Sequence, residues 1–375
     1  MKILHITEAY YPDSGGVSAI MRLLSEGLVE QGHDVTVATK YNPQRETKVI
    51  NNVKVEGFNV SGKFNNGYQG DVESYQNFIK NFECDIVTIY SAQTWSTDLA
   101  LPLLDKIDAK KIFIPCGFSS MYDPNYREYF AKMPDVLRIF DHIVYFDKYS
   151  WDYEFGQRHL INHFSVIPEC ADYGGIEPKG KTFREEYNIT TKCFVLCVAS
   201  YGRNKAQHYL LEAFLKTKSK DVTLIFIGSK PGDRNQKIYF NLLQLMGFAV
   251  KILNITRNIK LLTDIRKEMV VKAFHEADLF LLGSTFEVGT PLVIYEAMAA
   301  GLPFISNKCG SLGELYYAGG WVVNSTREMA NGIDILMGDK DLRKKLAVNG
   351  KKEYDNNYTV SCYINKMKRL YTSIL

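Results

Sequence analysis

Short apolar runs alternate along the chain with longer segments whose apolar residues recur every three or four positions, and the two periods separate strands from helices. The pattern predicts a strand over 2–7, a loop over 8–16, and a helix whose apolar face is Val17, Ile20, Met21, Leu24 and Leu28, stopped by Gly32. A strand over 35–38 completes a β-α-β opening, and further strands are predicted over 86–90, 112–115, 143–146 and 164–167. Beyond them come a strand over 194–199, a helix carrying Leu210, Leu211 and Phe214, a strand over 222–228 and a short one over 252–254. A helix over 258–277, a strand over 278–282, a helix over 291–300 stopped by Gly301, and a strand over 302–305 follow. The chain closes in helices that end with Tyr363, Met367, Leu370 and Tyr371. This alternation predicts an α/β protein.

Size then divides the pattern in two. A chain of 375 residues exceeds one ordinary hydrophobic core, so two domains are expected, 1–170 and 171–355, with a tail helix about 356–375. The loop-forming Gly174, Gly175, Pro178 and Gly180 have the composition of a linker between them. With 46% hydrophobic and 23% charged residues the composition is that of a soluble globular protein. No apolar run approaches a bilayer span and the chain enters a strand directly after Met1, so a cytoplasmic location is expected. Seven cysteines without a C-x2-C pair suggest neither a disulfide framework nor a zinc site.

Charge is uneven. Residues 1–170 hold 16 Lys/Arg against 22 Asp/Glu, which leaves a balance of +9 for the remainder of a chain whose net charge is +3. A basic second half suits an anionic ligand such as a nucleoside diphosphate, and no basic run interleaved with aromatics points to nucleic acid. The acidic first half lacks the basic amphipathic patch that would support membrane contact, which leaves peripheral contact with the inner face of a membrane open.

The most informative window is 283–305, G-S-T-F-E-V-G-T-P-L-V-I-Y-E-A-M-A-A-G-L-P-F-I. A buried strand ends at Gly283, a small-residue loop follows, and Pro291 is placed at the first position of a helix, where its missing N–H costs nothing. Free N–H groups at that start, together with the helix dipole, favour an anion. Glu287 precedes the start and Glu296 lies inside the helix, so a phosphate on the N–H groups with carboxylates nearby for hydroxyls is a plausible nucleotide-sugar site. A second basic pair, Arg203 and Lys205, lies in the strand-to-helix loop 200–207, from which it can clamp a diphosphate. The G-x-G-x-x-G dinucleotide fingerprint is absent after the first strand, which disfavours a nicotinamide enzyme.

The window, with its E-A-M-A-x-G-x-P continuation, resembles the E-x7-E region of retaining glycosyltransferases of the GT-B fold, family 4. Pro12, Gly15, Gly16 and Gly32-His33-Asp34-Val35 match that family's P-x-x-G-G-V and G-H-x-V segments, and Gly310-Ser311-Leu312-Gly313-Glu314 resembles its G-G-x-x-E. The resemblance implies two Rossmann-like domains facing across a cleft, a C-terminal helix crossing back to the first domain, an acceptor site in the first domain and a donor site in the second. It departs at four places. Eight residues separate Glu287 from Glu296, Cys116 stands where many relatives have His, Ser200 stands at an Arg position, and Glu169-Cys170 replaces Asn-Gly. A neutral thiol does not replace imidazole in acid-base work, so Cys116 is given no catalytic role; His5, His142 and His163 lie near strand ends as stand-ins.

By that resemblance the diphosphate is held by Lys205, Arg203 and the helix start Thr290, Pro291, Leu292 and Val293, with Gly16 beside it. Glu296 accepts from the ribose, Glu287 contacts the sugar, and Glu287, Lys205 and Arg203 are the catalytic candidates. The single D-x-D, Asp339-Lys340-Asp341, is read as a helix cap, so no metal and no cofactor beyond the nucleotide diphosphate sugar is expected. The acceptor is a glycan, a lipid-linked or a small molecule. A non-catalytic nucleotide-sugar-binding subunit and a GT-B epimerase or phosphorylase remain as alternatives. The aromatic stretch 117–140, with Tyr122, Tyr126, Tyr129 and Phe130, is either acceptor lining or packing.

Overall fold

A computed structural model of the chain describes residues 1–13, 15–172, 180–252, 258–287, 289–310, 312–315 and 318–375. Gly174, Gly175, Pro178, Asn254, Val288 and Ser311 lie outside the described residues. The chain divides into two compact units, Met1–Cys170 with Thr359–Leu375, and Ala171–Tyr358.

The first unit is built on the strands β1 (Lys2–Ile6), β2 (Asp34–Lys40), β3 (Val49–Ile50), β4 (Val53–Phe58), β5 (Val60–Lys63), β6 (Gly67–Gly70), β7 (Ile86–Tyr90), β8 (Lys110–Ile114), β9 (His142–Tyr145) and β10 (Phe164–Val166). Eight of them form one sheet in the order β10-β9-β8-β7-β1-β2-β4-β3, parallel except for the short β3–β4 pair, while β5 and β6 form a separate hairpin. The central strand β7, I-V-T-I-Y, is buried along its whole length, as a parallel strand covered by helices on both faces must be.

The tail helix Val360–Ile374 belongs to this unit because its inward face is apolar and long. Tyr363, Met367 and Tyr371 are buried, each adding about 1.5–3 kcal/mol of apolar burial. The Tyr371 hydroxyl meets Thr88 Oγ1 at 2.7 Å and His5 Nε2 at 3.3 Å, and His5 Nδ1 meets Ser25 Oγ at 2.8 Å. Burial pushes the His5 pKa down to about 3, so its imidazole is neutral and engaged in structure. Tyr126, Tyr129 and Phe130 are core residues around the helix Arg127–Ile139, while Tyr122 is exposed against the edge of Trp151.

The second unit contains β11 (Cys193–Val198), β12 (Val222–Gly228), β13 (Asn258–Thr263), β14 (Leu279–Leu282), β15 (Phe304–Asn307) and β16 (Gly320–Val323), all parallel, in the order β13-β12-β11-β14-β15-β16. Numbered within the unit this is 3-2-1-4-5-6, a doubly wound order whose direction reverses between β11 and β14.

Two sequence expectations fail here. Residues 258–277 are not one helix: Asn258–Thr263 is a strand in register with β12, Asp264 turns the chain at φ 52°, and the helix is Lys267–Glu276. Ile259 and Leu261 alternate in period two, and pairing with the buried neighbour strand β12 overrides the helical reading. Ile252 does not begin a strand either; it ends the helix Arg234–Ile252.

Candidate functional site

The loops that leave β11 and β14 lie at the point where the strand order of the second unit reverses, outside the carboxyl ends of the strands, where open α/β sheets bind ligands. The two strands are direct neighbours, with Val195 opposite Leu279 and Leu196 opposite Phe280, so their loops are adjacent as well. The first loop contains the turn Arg203–Lys205 and Ala206 in a left-handed conformation before the helix Gln207–Lys216. It crosses the end of β14 closely: the Thr285 N–H donates to Asn204 O at 2.9 Å, and a Cβ on Gly283 would stand 2.9 Å from Ala206 O. Only glycine fits that crossing.

This crossing brings Lys205 to Glu287. Lys205 Nζ bonds Glu287 Oε1, with side-chain exposures of 22% and 14%, so the ion pair is largely enclosed yet reachable from solvent. A partly buried cation paired with one carboxylate can exchange that partner for a phosphate at modest cost. Behind the pair, Gly310 has φ 51° and lies so close that a Cβ there would meet Gly289 O at 2.0 Å and Glu287 Cβ at 3.3 Å. Asn307 Nδ2 donates to Gly283 O at 2.8 Å and holds the start of the same loop.

Thr290 and Pro291 are buried at the end of the loop, and the helix runs Leu292–Ala299. Pro291 therefore stands one position earlier than expected, at the cap, with ψ 127° and no side-chain hydrogen bond to the helix. Its fixed φ suits either place, and the extended ψ makes it the last non-helical residue. The first N–H groups, those of Leu292 and Val293 among them, have no intrahelical acceptor and keep the anion-binding character read from the sequence. Ile294, Ala297 and Met298 anchor the helix in the core, and Tyr295 stacks on Tyr358 with centroids 4.3 Å apart. The helix ends where the Gly301 N–H bonds Met298 O at 3.0 Å and the Leu302 N–H bonds Ala297 O at 2.8 Å.

Glu296, one turn inside this helix, has a separate polar neighbourhood. Burial pushes its pKa up to about 7, the Lys267 ammonium opposes that rise, and Asp172 adds to it. Asp172 and Lys267 are themselves 3.6 Å apart. Arg203 opens the same turn as Lys205 but is exposed, and it lines a cavity with Asn204, Asp233, Asn235 and Gln236. Gly16 belongs to the first unit, where it is the exposed first residue of the helix Gly16–Glu30. Of the sequence candidates, then, Lys205, Glu287 and the start Thr290 to Val293 share one loop crossing, and Glu296 and Arg203 flank it.

The first unit has its own strand-order reversal, between β1 and β7, and sequence reasoning missed what gathers there. Asp98 accepts hydrogen bonds from the Tyr68 and Tyr129 hydroxyls, both at 2.9 Å, and the Gln93 N–H donates to the Tyr129 hydroxyl at 3.1 Å. Burial raises the Asp98 pKa to about 6, with the Glu8 carboxylate adding to it; burial raises Glu8 too, against Lys40 and Lys63. The signal available in sequence was the buried strand 86–90, followed by a loop with Gln93 and a short helix, Trp95–Ala100, with Asp98. Cys116 is in a left-handed conformation, φ 57°, its thiol near Ile114 O at 3.4 Å and its pKa pushed well up by burial. The Asp339 carboxylate accepts from the Leu342 N–H at 2.8 Å and caps the helix Lys340–Asn357.

Residues 180–353, nearly all of the second unit, match the family model of glycosyl transferases group 1. Among curated proteins the chain is 27% identical over 183 residues to spore coat protein SA of Bacillus subtilis, a match covering 47% of each. The chain spans about half the length of the curated relatives it matches. Among solved structures it is similar to sucrose-phosphate synthase from Thermosynechococcus elongatus, with TM-score 0.81 and 18% identity over 100% of this chain and 98% of that one. Anabaena HepE, solved in complex with UDP and glucose, is similar with TM-score 0.76 and 16% identity over 100% of both chains. These likenesses establish a GT-B fold.

Proposed function

We infer that the protein, whose second unit carries a glycosyl transferases group 1 domain, is a retaining, metal-independent glycosyltransferase that uses a nucleotide diphosphate sugar, a UDP- or GDP-sugar, as donor. The observation that carries this reading is the Lys205–Glu287 pair at the strand-order reversal of the second unit, in the loop that runs into the helix start at Leu292. The incoming diphosphate takes over the Lys205 ammonium and the free N–H groups of the helix start. Arg203 swings in from solvent as a second cation. As the bond from the sugar to phosphate breaks, charge grows on the leaving oxygens, and donors already aimed at them stabilise that transition state more than the ground state.

Glu287, released from Lys205, accepts from a sugar hydroxyl, and Glu296 accepts from the ribose. The leaving phosphate takes the acceptor proton, which requires no enzyme base and accords with a neutral, enclosed His5. The first unit, with the Asp98–Tyr68–Tyr129 group, binds the acceptor, a glycan, lipid-linked or small molecule. No cofactor besides the donor takes part.

The test is to incubate the purified chain with UDP- and GDP-sugars and acceptor extracts without added metal, and to follow donor loss and the anomeric configuration of the product. Transfer or slow donor hydrolysis, with retained configuration, is expected. No turnover of any donor, together with unchanged nucleotide binding by Glu296→Ala, would overturn the reading. The half-buried Cys116 in place of an imidazole, its thiol held neutral by a raised pKa, favours a second reading, a nucleotide-sugar-binding subunit without catalysis. Tight binding of a donor that stays intact through long incubation would select it.

A further inference from the structure

The helix Arg234–Ile252 leaves one face bare. Its inward side, with Tyr239, Leu243 and Val250, is buried in the second unit. On the opposite side Ile238, Leu242, Leu245, Phe248 and Ile252 follow at intervals of four, three, three and four residues, which on an α-helix is one continuous stripe. Their exposures are 54%, 50%, 65%, 61% and 64%. Single exposed apolar residues are ordinary, but five large ones in line mark a surface made to be covered.

Charge indicates what covers it. Arg234, Lys237 and Lys251 are the helix's only charged residues, and it contains no Asp or Glu. Arg234 lies one turn before Ile238 on the stripe, and Lys237 borders it. Asp233, just before the helix, is engaged as a cap and accepts from the Gln236 N–H at 2.8 Å. A second copy of the chain, laid across the same stripe by a two-fold axis, would bring like charges together with no carboxylate of the helix to answer them. A surface of lipid phosphates takes both the apolar stripe and the cations. The second unit also carries the chain's basic surplus.

We propose that the helix Arg234–Ile252 is a membrane-surface anchor, lying in the headgroup layer of an anionic bilayer with its apolar stripe inserted and its cations against lipid phosphates. Ile238 shares a cavity with Arg203 at the start of the helix, but Leu245 and Phe248 do not line it, so variants at those two positions test the anchor apart from the donor site. The full chain is sedimented with vesicles of phosphatidylcholine alone and of phosphatidylcholine with phosphatidylglycerol. Wild type is expected to pellet with the anionic vesicles, less so as salt rises, and on the order of tenfold less with the neutral ones.

Leu245→Gln with Phe248→Gln should lower anionic-vesicle partition on the order of tenfold while nucleoside diphosphate binding and thermal midpoint hold. Lys237→Glu, which keeps the whole stripe, should lower it by a few fold. The proposal is overturned if wild type stays in the supernatant, or if both variants pellet like wild type. It is equally overturned if wild type runs as a dimer that the double variant converts to monomer while neither binds vesicles, since the stripe would then be an interface between copies.

Discussion

The two units use one topology for opposite chemistry. In each, consecutive strands are laid down on one side of the first strand and then on the other, and the reversal opens between two neighbouring loops. In the second unit those loops supply Lys205, Glu287 and a helix start with free N–H groups. In the first they supply Glu8 and Gln93, and the short helix Trp95–Ala100 that follows adds Asp98, with the Tyr68 and Tyr129 hydroxyls on its carboxylate. A cation beside a helix start suits an anion. A set of carboxylates and phenols repels one and suits hydroxyls. The sheet therefore fixes where a ligand can bind, and the loop residues fix which ligand it is.

The largest expected effect tests the cationic side. Lys205→Ala should lower kcat/KM with the donor by roughly 10²–10³-fold, read from initial rates, because it removes a charge aimed at the leaving diphosphate. The contrast between the units breaks if Asp98→Asn abolishes nucleoside diphosphate binding just as thoroughly.

Next comes Glu296. With its pKa raised to about 7 from the ordinary carboxylate value, the folded protein holds a proton here that the unfolded chain has already lost, so folding stability falls as pH rises from about 4.5 to 7. Glu296→Gln should flatten that part of the stability profile in chemical denaturation. The ionised carboxylate is the better acceptor for ribose hydroxyls, so nucleotide affinity in wild type should tighten between pH 6 and pH 8, by about tenfold at most, and the variant should lose this slope in calorimetry.

Asp98→Asn should then cost about 1–2 kcal/mol in denaturation and raise the acceptor KM with donor affinity unchanged, since two phenol hydroxyls lose a charged acceptor. The smallest effect belongs to Cys116→Ser. A half-buried thiol with a raised pKa is a poor nucleophile, so turnover should stay within roughly twofold and alkylation of Cys116 at neutral pH should be slow by mass spectrometry.

Much of this was legible in the chain because local chemistry wrote it there. Gly283, Thr290-Pro291 and Gly301 punctuate one strand and one helix so strongly that the window 283–305 could be read without tertiary information. The helix Arg234–Ile252 could not. An apolar stripe on its outer face erases the contrast between faces on which helix recognition depends, and the same feature makes it a candidate anchor. The segment 258–263 carries too few residues to separate a strand from a helix, and only its pairing with β12 decides. Asp98 finds Tyr68 and Tyr129 from about thirty residues away on either side, and Glu296 meets Lys267 from a similar separation and Asp172 from a far larger one. Such groups exist only once the sheet has assembled.

The most direct measurement is calorimetric titration of UDP, GDP and ADP into the wild-type chain and into Lys205→Ala, without metal, at one pH and salt concentration. The expected result is that one of the three binds wild type and that the variant binds it at least about tenfold more weakly, the weight of one charge-assisted contact. Equal affinity of both proteins, or no binding of any diphosphate to wild type, would contradict a donor site at the Lys205–Glu287 crossing.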